Sequence, residues 1–124
     1  MNAESKIFSR FDLNAKRAMS PVVLTFTSLC NLIKDFERRT PKDRLVCVLL
    51  PAYPNTPLII KSVGFTEPDI IFLNCQTTSS VDSCVVLDIS QLNLVLTSVP
   101  VQDNLPARRP IGFESTVQSQ SSRE

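Results

Sequence analysis

Residues 44–99 read RLVCVLLPAYPNTPLIIKSVGFTEPDIIFLNCQTTSSVDSCVVLDISQLNLVLTSV. Short apolar runs rich in Val, Ile and Leu alternate with proline, serine and threonine punctuation, which is the signature of successive strands. The run 44–50 is closed by Pro51, and 51–57 (PAYPNTP) reads as a proline-punctuated loop. Two further strands are expected at 58–65 and 69–77, split by Glu67-Pro68. Ser79-Ser80 marks a turn, and a tight turn there would bring Cys75 and Cys84 close across a hairpin.

The end of this stretch carries a finer signal. Val85, Leu87 and Ile89 are apolar at odd positions, whereas Leu92, Leu94 and Leu96 are apolar at even ones. Side chains alternate strictly along a strand, so the switch at Ser90-Gln91 requires a bulge, a bend or a turn. The segment 84–99 is therefore two strands, or one strand broken at that point.

Helical periodicity precedes the strands. Ser20-Pro21 is a helix start, and Val22, Phe26, Leu29, Cys30, Ile33 and Phe36 form an apolar stripe over 20–40. Lys34, Arg38 and Arg39 crowd the last turns, where cations complement the macrodipole, and Thr40-Pro41 ends the element. The sequence VVLTFT at 22–27 has strand propensity and leaves a strand start open. Upstream, 1–19 reads as a basic amphipathic helix, with Ile7, Phe8, Phe11, Ala15 and Ala18 on one face and Lys6, Arg10 and Arg17 on the other.

The expected fold is α+β: one or two N-terminal helices packed on a mainly antiparallel sheet of four to five strands. One domain spans 1–100, and 101–124, rich in breakers and then in Ser and Gln, is expected to be a disordered tail. The strands carry few charges on either face, so both faces of the sheet should be covered. The helices serve one face and a second copy of the chain the other.

Charge is segregated along the chain. Residues 1–61 hold ten Lys and Arg against five Asp and Glu, and 62–107 hold five acids and no Lys or Arg. Such asymmetry suits a protein that orients against a charged surface or another copy of itself. The chain has no His and only two glycines, Gly64 and Gly112. His-based triads, HExxH zinc sites, phosphate-binding glycine loops and dinucleotide fingerprints are thereby excluded. No cofactor or metal is expected. Neither a signal peptide nor an 18-residue apolar span is visible, so a cytoplasmic or nuclear location is expected. The four cysteines, Cys30, Cys47, Cys75 and Cys84, lack metal-ligand spacing and read as reduced core residues.

Three features are candidates for function. The first is a basic, anion-binding set: Lys34, Arg38, Arg39, Lys42 and Arg44, joined by Lys6, Arg10 and Arg17 from the preceding segment. Next, Tyr53, Pro54 and Leu58 resemble the Tyr-Pro-x(n)-Leu late-domain motif with which some viral structural proteins recruit the host membrane-scission machinery. Pro57 within the spacer departs from that pattern. The third is PARRP at 106–110, whose Arg108 and Arg109 would form an extended basic motif. Asp88, in the most apolar strand, is the carboxylate expected to have a raised pKa through burial. Short length, few glycines, absence of His and Trp, and a Ser-rich tail together suggest a small viral accessory protein. It is expected to be non-enzymatic, to self-associate, and to bind a host protein rather than a small-molecule substrate. The alternative is a matrix-like or RNA-binding structural protein whose basic half meets RNA or an acidic membrane surface.

Overall fold

The structure, a computed structural model, describes residues 20–115. The basic helix expected at 1–19, with Lys6, Arg10 and Arg17, lies outside the described residues, as does the end of the tail beyond Ser115.

One helix, α1 (Pro21–Arg39), is present among the described residues apart from a single 3₁₀ turn. Ser20 is extended (φ −75°, ψ 162°) and its carbonyl accepts from Val23 N (3.0 Å) and Leu24 N (3.3 Å), but its hydroxyl makes no capping bond. Val22, Leu29, Cys30 and Ile33 are buried along one stripe, and Phe26 stacks obliquely on Phe65 with ring centroids 4.9 Å apart. This burial overrides the strand propensity of VVLTFT, because an amphipathic face is worth more than local preference. Thr40 turns extended ahead of Pro41, and its Oγ1 donates to Phe36 O (2.7 Å).

Six strands follow: β1 (Arg44–Leu50), β2 (Tyr53–Thr66), β3 (Ile70–Thr77), β4 (Asp82–Asp88), β5 (Val95–Pro100) and β6 (Gly112–Ser115). The α+β class and mainly antiparallel sheet are as expected, but there are six strands rather than four to five. The sheet order is β4-β3-β2-β1-β5, with β6 parallel to the second half of β2. The stretch 53–57, expected as loop, is strand. Pro54 and Pro57 are tolerated because this half of β2 is exposed and meets β1 only at an irregular pairing, Leu50 with Tyr53.

Lys61 is an extra residue in β2, since Ile60 faces Cys75 and Ser62 faces Asn74. The bulge moves the inward phase from Leu58 and Ile60 to Val63 and Phe65, keeping all four on the α1 side. The phase switch after Ile89 is met by the 3₁₀ turn Ile89–Gln91, in which Asp88 Oδ1 accepts from Ser90 N (2.9 Å) and Ser90 Oγ (2.8 Å). Ile89, Leu92 and Leu94 then pack on the α1-side core.

Register shows how strongly the sheet twists. The row Asp88–Ile70–Thr66 and the row Thr77–Leu58–Val48–Leu96 lie seven residues apart along β3, on strands at opposite edges. On a flat sheet Asp88 and Leu96 would be about 30 Å apart, from a rise of about 3.4 Å per residue and strand spacings of about 4.8 Å. Eight residues that include a 3₁₀ turn reach only about 23 Å. The right-handed twist closes the gap by making the sheet a saddle, whose two opposite corners rise on the α1 side. The other two corners meet on the back. Val101 N donates to Asp43 O (2.9 Å), and three residues later Asn104 bonds the β3–β4 turn through Thr78 O (3.4 Å) and Ser80 Oγ (3.1 Å). That turn is wider than a Ser-Ser pair: Thr77 N donates to Val81 O, and Ser80 takes a positive φ of 70°.

The segment 101–111, expected as disordered tail, is a layer of the fold. Leu105 caps Leu45, Cys47, Ile59 and Val99 on the back of the sheet, where a second copy was expected. Ile111 enters the α1-side core. Between them Arg108 plugs the carboxyl end of α1, donating to Glu37 O (2.9 Å), Thr40 O (3.0 Å), Pro41 O and Arg44 O (3.2 Å). Glu37 Oε2 in turn accepts from Ile111 N (3.2 Å). A charged group from the far end of the chain thus reaches the last-turn carbonyl of Glu37, which also accepts from Thr40 N, and three carbonyls of the segment that follows the helix. Charge-assisted bonds of this kind are strong. Arg108→Leu is expected to lower unfolding free energy by about 3 kcal/mol in urea titration, with Arg108→Lys recovering only part. An unchanged midpoint for Arg108→Leu would show that the plug carries no stability.

Candidate functional site

In the basic cluster at the end of α1, Arg44 is built into the fold, whereas Lys34, Arg38, Arg39 and Lys42 are exposed. Arg38 and Arg39 (Nη2–Oδ2 3.0 Å for Arg39) both pair with Asp35. Arg44 is half-buried, with Nε donating to Ser98 Oγ (2.7 Å) and Nη2 to Ser98 O (2.9 Å). The Lys34 ammonium sits over the Phe113 ring, 5.0 Å from its centroid. Arg108 is consumed by carbonyls. Lys42 and Arg109 are exposed and line one open pocket of about 410 Å³ with Arg108 and Pro110. Sequence reasoning placed these two in separate motifs.

Tyr53 and Pro54 are exposed, whereas Leu58 is buried in the α1-side core. The three residues therefore do not present one accessible surface.

Three thiols are unsuited to nucleophilic work. Burial pushes the Cys30 and Cys47 thiols up to about 11 and the Cys75 thiol up to about 12. Cys75 faces Ser83 and Cys84 faces Asn74, so the two thiols point to opposite faces of the β3–β4 hairpin, one buried and one exposed. No cluster of three or more His, Cys, Asp or Glu suited to a metal occurs among the described residues. No helix among them is long and apolar enough to cross a membrane.

Asp88 behaves opposite to expectation. The Ser90 N–H and hydroxyl bonds hold its carboxyl below the ordinary carboxylate range. Asp69, across the end of the hairpin, is raised instead, first by partial desolvation and then by the Asp88 charge and a carboxyl–carboxylate hydrogen bond. The backbone brings them together, since Ile89 N donates to Asp69 O (2.9 Å).

The remaining feature is the outer edge of β4, which no strand covers among the described residues. Its sequence, DSCVVLD, contains no proline, lysine or bulge, the usual devices that blunt an edge. Val86 is 62% exposed on the back face, where Phe72 lies over Gly64 so closely that a Cβ there would strike its ring. A groove of about 480 Å³ lies inward of β4 on the α1-side face, lined by Leu50, Leu58, Val85 and Leu87 and by Tyr53 and Thr56 of β2. Tyr53, 61% exposed, stands over it. The alternation in 82–88 marked this strand in the sequence, but its position at an edge depends on long-range pairing. The chain matches no family model, no curated protein and no solved structure.

The acidic pair has a measurable consequence. Asp69 binds its proton more tightly folded than unfolded, so its contribution is present at low pH and lost as pH rises through its folded value. Asp88 runs the other way, its contribution being lost as pH falls through its lowered value. Asp69→Asn is expected to raise the melting temperature near pH 7 and to lose that advantage below about pH 4. Equal melting temperatures for variant and parent near pH 7 would contradict the pairing.

Proposed function

We propose that this protein is a non-enzymatic interaction module that takes up an extended segment of a partner protein as an added strand along β4. The observation that carries the reading is the unblunted β4 edge with an apolar groove inward of it. Main-chain bonds to an edge give affinity, and pockets for alternate side chains give selectivity. Buried, protonated thiols and a carboxylate committed to a turn support a non-enzymatic role. In the setting that the composition suggests, a viral accessory protein, the partner is a host protein. Self-association edge to edge is disfavoured in full overlap. Two antiparallel β4 strands would set Asp82 of each copy against Asp88 of the other, and like charges directly opposite are destabilising.

Random seven-residue peptides displayed on phage and selected on the protein should converge on alternating β-branched sequences, and Val86→Lys should remove them while leaving the fold intact. Enrichment indifferent to Val86→Lys, or no enrichment, contradicts strand addition.

A second reading has one observation in its favour, the convergence of Lys42 and Arg109 at one pocket. In it the basic end of α1 meets a phosphate-bearing surface, RNA or acidic lipid. Binding of an RNA oligomer or acidic vesicles should then fall steeply with salt and be lost in Lys42→Glu/Arg109→Glu. Salt-insensitive binding, or binding unchanged in that variant, removes this reading.

A further inference from the structure

The β4 edge is not neutral, and its charge says which segment fits it. Asp82 and Asp88 close the two ends of the strand, but they are not equivalent. Asp82 is already paired with Lys61 (Nζ–Oδ1 3.1 Å). Asp88 stands beside the Asp69 carboxyl, and neither makes an ion pair among the described residues. Between these ends the strand offers only Ser83, Cys84, Val85, Val86 and Leu87. The β4 edge therefore has an apolar, uncharged centre, one neutralised end and one end with uncompensated negative charge.

Resting on the strand-addition reading, we propose that the occupant is an extended protein segment with apolar residues at alternate positions and a Lys or Arg at the end that meets Asp88 and Asp69. Alternate side chains of an added strand point to one face, so Val and Leu at every second position pack beside Val85 and Leu87 of β4. Running antiparallel to β4, the segment brings its amino end to Asp88. A cation there sits against two neighbouring carboxyl groups, and it relieves their repulsion. A second copy of β4 supplies the wrong sign at that position, since its own ends are acidic. Steering by the acidic half of the chain, 62–107, works in the same direction.

The test uses the whole protein and capped synthetic peptides of seven residues, alternating Val and Thr, with Lys at the amino end. Comparison peptides carry Glu in place of that Lys, or are N-methylated at every second amide to remove the ladder bonds. The Lys peptide is expected to bind about tenfold more tightly than the Glu peptide at low salt. The difference should shrink with added salt and vanish in Asp69→Asn/Asp88→Asn, in which the amide carbonyl introduced at position 88 still accepts from Ser90. Equal binding of the Lys and Glu peptides, with loss on N-methylation, overturns the charge selection and leaves strand addition standing. Binding untouched by N-methylation, or no binding by any peptide, overturns both. A concentration-dependent dimer that Val86→Lys makes monomeric assigns the edge to a second copy and overturns the proposed occupant.

Discussion

A guanidinium from residue 108 occupies the carbonyl end of the single described helix, and the rest of the architecture depends on that contact. Thr40 caps the helix end through its N–H to Glu37 O and its hydroxyl to Phe36 O, and Pro41 has no N–H to add. Arg108 serves four backbone carbonyls across α1, the α1–β1 turn and β1. The contact fixes helix against sheet, and it pins the segment that carries Leu105 to the back of the sheet and Ile111 to the front. Glu37 completes the clasp by accepting from the Ile111 amide. A domain this small gains much from a long-range tie that closes a loop of about seventy residues.

Twist determines what remains exposed. The saddle lets a short crossover carry the chain from β4 to β5 over the α1 side, and lets 101–104 cross the opposite diagonal on the back. Both connections cover core. Neither reaches the outer edge of β4, which stays open among the described residues. The same geometry gathers most arginines near the carboxyl end of α1, where they satisfy Asp35, Ser98 and backbone carbonyls. Segregated charge in the sequence thus becomes two different things in three dimensions. Among the described residues of the basic half, Arg44 is tied into the sheet, whereas Lys34, Arg38, Arg39, Lys42 and Lys61 stay exposed. The acidic half keeps an uncompensated pair at one end of an unpaired strand.

Local signals carried much of this. Ser20-Pro21 and Thr40-Pro41 bracketed α1, the run before Pro51 was β1 to the residue, and the parity switch at Ser90 marked the 3₁₀ turn. The same kind of switch, from Leu58 and Ile60 to Val63 and Phe65, announced the Lys61 bulge, but a single continuous run hid it. The prolines at 54 and 57 argued for loop because their missing N–H groups matter only where both edges are paired, and edge status is not local. The role of Arg108 was illegible for the same reason. An arginine in a Pro-rich, polar stretch looks like solvent-facing tail until a helix end sixty-odd residues away is brought to it. The pKa order of the acidic residues failed because Asp88 met its hydrogen-bond donors within the turn, whereas Asp69 was placed beside it by the hairpin.

The most direct measurement is cooperative unfolding of two shortened chains, one ending at Pro100 and one at Ser115. If residues 101–115 form an integral layer clasped by Arg108, the longer chain should unfold in one sharp denaturant transition like the parent. The shorter should lose that transition and expose its apolar core to a hydrophobic dye. A chain ending at Pro100 that unfolds sharply at the parent's midpoint would contradict the account.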